Sequence, residues 1–161
     1  MGADILVIHG DRAPFRITDE EYIERFGLLA ERGMEFGVRV AQENVALHRS
    51  ASPEFIEKMR KTLGELAFFV FDFKQSIRSG CTYEQVIRAM GERLIHVHVN
   101  DSKPENDCVL PGYGDTDFIA AKQLIESYGC NPKWIIEVYR RCFGEHDELS
   151  VAAKWLNTIN L

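Results

Sequence analysis

No window of this 161-residue chain approaches 18 uncharged apolar residues, which excludes a membrane-spanning helix and removes the membrane as an expected partner. Positive charge is also scarce. Lys and Arg number 19 against 25 Asp and Glu, a formal net charge of −6. A surface of that sign repels phosphate backbones, so no nucleic-acid partner is expected. The four cysteines, Cys81, Cys108, Cys130 and Cys142, stand 27, 22 and 12 residues apart with no Cys-x-x-Cys pair. That spacing excludes a zinc ribbon or a thioredoxin-like site, and the number is too small for a disulfide scaffold. Reduced thiols in a cytoplasmic protein are the simplest reading. The segment Met1–His9 has no basic region and reaches a polar residue after four apolar ones, unlike a signal peptide. Low-complexity linkers, charge blocks and longer repeats are missing too, so residues 1–161 read as one domain. Apolar residues make up 45% and charged residues 27%, an ordinary globular balance that excludes disorder.

Five short β-rich runs alternate with amphipathic helices. The runs are Asp4–His9, Gly37–Gln42, Ala67–Phe71, Leu94–Val99 and Trp134–Val138. Each is nearly continuous in apolar residues, the pattern of parallel strands covered by helices on both faces. Between them stand helix starts. Thr18-Asp19-Glu20-Glu21 and Thr82-Tyr83-Glu84-Gln85 read as capping boxes, and Ser52-Pro53 places a cap before proline at the first helical position. Asp115-Thr116 opens a further helix, and the last runs from about Asp147 with Leu149, Ala152, Leu156 and Ile159 on one stripe. A strict βα order implies a parallel sheet with right-handed crossovers, either an open doubly wound sheet or a (β/α) barrel. The glycine fingerprint of a dinucleotide fold is absent after the first strand, where Gly10-Asp11-Arg12-Ala13 stands.

The strand ends favour the barrel. Polar residues of ligand type close each run: His9, Glu43 with Asn44, Asp72, His98 and Glu137. A ring of such residues at the C-terminal ends of parallel strands is how barrel enzymes build a site. Glu43, Asp72, His98 and Glu137 suit one divalent ion. Three carboxylates and an imidazole make a mostly hard donor set, favouring Mn²⁺ or Mg²⁺, with Co²⁺ or Zn²⁺ also accommodated. In the run His96-Val97-His98-Val99-Asn100-Asp101 both histidines share one side of the strand by alternation. His98, nearer the C-terminal end, is the expected ligand, and His96 is expected to be a satisfied core histidine. Asp101 orients a ligand or begins a loop. Pro111-Gly112-Tyr113-Gly114-Asp115 reads as a turn, with backbone N–H groups that a nearby anion would also suit.

Gln42-Glu43-Asn44-Val45, Phe71-Asp72-Phe73-Lys74-Gln75, the histidine strand, Pro111-Gly112-Tyr113-Gly114-Asp115 and Ile136-Glu137-Val138 occur in that order, with the four ligand candidates 29, 26 and 39 residues apart. This succession resembles the sugar phosphate isomerase/epimerase branch of the xylose isomerase-like TIM barrel superfamily. The resemblance implies metal binding by Glu43, Asp72, His98 and Glu137 and acid/base work by Glu43 and Glu137 on a small-molecule sugar or sugar phosphate. It leaves His9, Lys74, Gln75 and Asp101 as candidate substrate contacts. Proton abstraction beside a carbonyl needs just such a base and an electrophile on the oxygen. The family often has Asp-x-x-His where Asp72-x-x-Gln75 stands here. Gln75 hydrogen-bonds but does not titrate, and Lys74 either meets an acidic group or is solvated.

A closed eight-stranded barrel takes about 250 residues. The expected fold is therefore a partial (β/α) barrel of five parallel βα units, equivalent to the fourth strand through the last helix, with the first three units missing. Such an arc would leave two unpaired edges and an apolar inner face, and self-association through those edges is expected. Two competing functions are a non-catalytic barrel fragment and an endonuclease IV-like AP endonuclease. The second would hold three zinc ions through additional histidines. Gln75, Asp107-Cys108-Val109 and the acidic charge all speak against it.

Overall fold

In the computed structural model, which describes residues 2–161, the five expected strands form one parallel sheet. β1 (Ile5–Ile8), β2 (Arg39–Glu43), β3 (Phe68–Asp72), β4 (Leu94–Val99) and β7 (Lys133–Ile136) lie side by side in that order. α1 (Asp19–Glu35), α2 (Pro53–Leu63), α3 (Phe73–Arg78), α4 (Tyr83–Met90) and α5 (Phe118–Ser127) fall within the crossovers, and α6 (Asp147–Thr158) follows β7. The result is an arc of parallel strands with helices outside, half of a barrel wall.

The local signals act as chemistry requires. Ser52 Oγ accepts the Phe55 N–H at 3.2 Å, with Pro53 in the first turn where no N–H partner is needed. At Thr82 the box is reciprocal: its hydroxyl accepts from Gln85 N, and Gln85 Oε1 accepts from Thr82 N at 2.9 Å. Thr18 caps α1 through Glu21 N at 3.2 Å, but the expected box is only half made, because the Glu21 carboxylate turns to Arg25 at 2.6 Å. α5 begins later than Asp115-Thr116 predicts. The backbone N–H groups of Asp115 and Thr116 are taken by Ser102 O and Asp101 Oδ1, so Asp117 becomes the cap, accepting from Ala120 N at 2.9 Å.

The core lies between sheet and helices. Phe69, Phe71, Val97 and Val99 face Ile56, Met59, Ile87 and Met90, and all are buried. Phe73 joins the strand and helix layers, with its ring 4.7 Å from Phe71 and 5.2 Å from Phe118.

Register places residues of neighbouring strands on common faces. Ala41 pairs with Phe68, Val70 with His96, Asp72 with His98 and His98 with Ile135. The concave face therefore carries the alternate set Ile5, Val7; Arg39, Ala41, Glu43; Phe68, Val70, Asp72; His96, His98; Lys133, Ile135. The inner face is apolar in part, as expected, rather than apolar throughout. Ala41 and Val70 are fully buried, and cationic or imidazole side chains stand between the apolar ones. Sequence reading also missed an antiparallel hairpin of β5 (Asp101–Lys103) and β6 (Asn106–Val109), which forms its own two-stranded sheet beyond β4. Its residues are too polar and its strands too short to show a period.

Candidate metal centre

Glu43 closes β2, Asp72 closes β3, His98 lies near the end of β4, and Glu137 directly follows β7. The five-strand arc brings one donor atom of each within 4.8 Å of all the others. His98 is the hub: its Nδ1 lies 3.1 Å from Glu43 Oε1 and 3.9 Å from Asp72 Oδ2, and it hydrogen-bonds Glu137 Oε2. Asp72 and Glu43 form a buried floor. Above them the side chains of His98 and Glu137 are 15% and 47% exposed, so the cluster opens toward solvent on the Glu137 side.

The floor is held by groups whose roles are visible only in three dimensions. Asn44 brackets the backbone of β3: its Nδ2 donates to Asp72 O at 3.0 Å, and its Oδ1 accepts from Asp72 N at 2.7 Å. One amide can do both because it carries donor and acceptor together. Asn100 Nδ2 donates to Asp72 Oδ1 at 3.2 Å and to Glu137 O at 3.5 Å, tying two strand ends of the cluster together. The Asp72 carboxylate also caps α3, accepting from Gln75 N at 3.1 Å. Only asparagine at two strand ends, Asn44 and Asn100, signalled this bracing in the sequence.

Lys74 is not solvated. Its side chain is 2% exposed, its ammonium donates to Asp72 Oδ2, and it lies 3.5 Å from Glu137 Oε1. Burial works against its charge, but the adjacent Asp72 carboxylate outweighs burial and holds its pKa above the ordinary lysine value. Burial likewise disfavours charge on His98, yet hydrogen bonds to Glu137 and Glu43 prevail and raise its pKa to about 9. The same contact with His98 lowers Glu137 to about 2 against the opposing effect of burial. His98 thus carries a proton where three carboxylates crowd together.

The remaining site candidates fall into different places. His9 Nε2 lies 3.1 Å from Glu43 Oε2, and its side chain is 63% exposed. Gln75 Oε1 accepts from Ala46 N at 3.0 Å, fixing the loop after β2. Asp101 is buried, and its carboxylate accepts from four backbone N–H groups: Ser102 and Thr116 on Oδ1, Gly112 and Gly114 on Oδ2, all at 2.9–3.0 Å. The glycine turn is therefore wrapped around a carboxylate of the chain's own. Gly114 is obligatory there, since a Cβ would lie 2.3 Å from Ser102 O. His96 is buried beside His98, as expected, but it is not satisfied: its Nδ1 has no hydrogen-bond partner among the described residues. Burial, followed by the charge of His98, lowers its pKa.

The donor set fits a hard divalent ion. Three carboxylates and one imidazole share a point, and Lys74 offsets only one of the three negative charges without occupying the imidazole. Beside Asp72 the buried Oδ1 of Asn100 finds no donor among the described residues.

Comparison with known proteins bears on the fold. Solved structures of the same fold include the D-allulose 3-epimerase of Methylomonas sp., at 14% identity and a TM-score of 0.77, covering 98% of this chain and 64% of that one. The D-psicose 3-epimerase of Clostridium cellulolyticum H10 matches at 13% identity and a TM-score of 0.76, over 96% of this chain and 64% of that one. The 3-keto-D-glucoside 4-epimerase of E. coli matches at 15% identity and a TM-score of 0.72, over 96% of this chain and 63% of that one. The chain thus spans a little under two thirds of these relatives' length. No curated protein matches it by sequence. The family model described as xylose isomerase-like TIM barrel matches residues 1–159, and the chain belongs to that family.

Proposed function

We propose that this chain carries the metal centre and the acid/base pair of a sugar or sugar phosphate isomerase/epimerase. The observation that supports this most is the convergence of Glu43, Asp72, His98 and Glu137 within 4.8 Å at the C-terminal ends of the strands. A divalent ion bound there, Mn²⁺ or Mg²⁺ by preference, supplies a Lewis acid for a carbonyl oxygen and its neighbouring hydroxyl.

The two glutamates enter the cluster from β2 and from the far side of the arc, after β7. Each turns one oxygen toward His98. The second oxygen of Glu43 is held by His9, and that of Glu137 by Lys74. One carboxylate removes the proton beside the carbonyl, and the other returns one from its own side, which inverts or relocates the centre. Exposed His9 is suited to meet a substrate hydroxyl. Enclosed Lys74 acts on substrate only through Glu137 and Asp72. Relatives of this fold named as epimerases of D-allulose, D-psicose and a keto-glucoside support a ketose-type substrate.

The test loads purified protein with Mn²⁺, counts bound metal by elemental analysis, and follows exchange of substrate C–H into D₂O by NMR over a panel of ketoses and their phosphates. One ion per chain with exchange is expected, and Glu137→Gln abolishes the exchange while circular dichroism is unchanged. Retained exchange in Glu137→Gln removes that residue from proton transfer. A chain that binds no divalent ion overturns the proposal. A second reading, metal binding without turnover, draws on the chain's span of under two thirds of its relatives. Stoichiometric metal with no exchange on any ketose would select it.

A further inference from the structure

Two cysteines that the metal centre does not use lie face to face. Cys108 is on β6, and Cys142 ends the short turn Arg140–Cys142 that follows β7. They are 34 residues apart in the chain, yet their sulfurs are 3.6 Å apart, and Cys142 Sγ is 3.2 Å from Cys108 O. Neighbours hold the same seam. Arg78 donates to Asp107 Oδ1 at 3.1 Å on the hairpin and to the Tyr139 hydroxyl at 2.6 Å on the opposite segment. Cys81 and Cys130 are different: their thiols meet backbone carbonyls of Ala51, Ser79 and Gly91. All four are free thiols.

A disulfide joins sulfurs about 2.05 Å apart, so Cys108 and Cys142 need approach by only about 1.5 Å, the scale of a side-chain adjustment. Cys142 is the more accessible member, in an exposed turn, whereas Cys108 is buried. Burial pushes the Cys108 thiol up to about 11. The difference in exposure sets the order of events.

We propose that Cys108 and Cys142 form an oxidative modification site, a dithiol that a hydroperoxide converts to an intrachain disulfide linking the β5–β6 hairpin to the segment after Glu137. The Cys142 thiol loses its proton, the thiolate attacks one oxygen of hydrogen peroxide, the O–O bond breaks to give a sulfenic acid, and the departing hydroxide takes up the thiol's proton and leaves as water. Cys108 sulfur then attacks Cys142 sulfur and displaces hydroxide, which takes the Cys108 proton and leaves as water. Two thiols lose two electrons and two hydrogens in all, and one peroxide becomes two waters.

The 161-residue chain is treated with hydrogen peroxide, alkylated, digested and weighed. The expected result is a loss of two hydrogens per chain and a single cross-linked peptide pair, Cys108 with Cys142, while Cys81 and Cys130 remain alkylated. Because proximity drives the second step, the pair should close at least tenfold faster in the folded chain than in urea. Cys142→Ser, on the less buried partner, should eliminate the linkage, and Cys81→Ser should leave it intact. Four alkylated thiols after oxidation, linkage through Cys81 or Cys130, or equal rates folded and unfolded would each overturn the proposal.

Discussion

Replacing Asp101 with Ala tests how the glycine turn beside the metal centre is built. The buried carboxylate accepts four backbone N–H groups at 2.9–3.0 Å, and three of them, Gly112, Gly114 and Thr116, belong to a segment more than ten residues away. Hydrogen bonds to a charged acceptor contribute about 1.5–3 kcal/mol each when considered singly. Four on one carboxylate do not add, and water can reach the exposed flank at Tyr113. A loss of about 3–4 kcal/mol is therefore expected for Asp101→Ala, and about 2 kcal/mol for Asp101→Asn, which keeps one acceptor oxygen. At a urea slope of about 2 kcal/mol/M, the Ala variant should unfold about 1.5–2 M earlier. Trp155 packs against Gly112, which adopts φ +88°, so its fluorescence reports the turn directly. Lys103→Ala, at an exposed position of the same hairpin, serves as a control and should stay within about 0.5 kcal/mol of the parent. An Asp101→Ala midpoint within about 0.3 M of the parent would refute the scaffold role and return Asp101 to the substrate.

His98 gives the metal-free protein a pH dependence of known sign. Its pKa is raised from 6.5 to about 9 in the fold, so its contribution is complete below pH 6.5 and is lost between pH 6.5 and 9. That loss is about 2–3 kcal/mol. Urea unfolding in EDTA at pH 6, 7.5 and 9 measures it, and a flat profile would contradict the His98 cluster. The partner effect on Glu137, lowered to about 2, is present above pH 4.5 and fades as the pH falls through 2; it is the same contact and is not counted again. Because a ligating imidazole is deprotonated, Mn²⁺ binding at pH 7 should release about one proton, read by calorimetry in two buffers of different ionisation enthalpy. Zero protons released would exclude His98 as a ligand. Among the described residues β1 and β7 each pair on one side only, with Leu6 and Ile135 exposed on them. Sedimentation velocity should therefore show concentration-dependent association, and a monomer at tens of micromolar would show that these edges are protected.

The sequence alone determined the order of five βα units, the caps at Ser52 and Thr82, and the four residues of the cluster, Glu43, Asp72, His98 and Glu137. Each is written locally: an apolar run followed by Glu, Asp or His, or a hydroxyl beside a helix's first free N–H groups. A parallel sheet aligns those strand ends without further instruction, which is why residues 29, 26 and 39 apart could be placed in one cluster from their positions in the chain. Tertiary structure decided the rest. Whether Lys74 is solvated or buried depends on Asp72 and Glu137, the second of them contributed by a different part of the arc. The start of α5 moved from Asp115 to Asp117 because Asp101 and Ser102, in another element, claimed the intervening N–H groups. The same holds for Asn44 on the β3 backbone, Asn100 between two strands, and Cys108 against Cys142. Hydrophobic periodicity records which face of an element is buried, but a polar side chain's partner is set by whichever donor or acceptor folding carries within about 3 Å of it, and no local pattern encodes that distance.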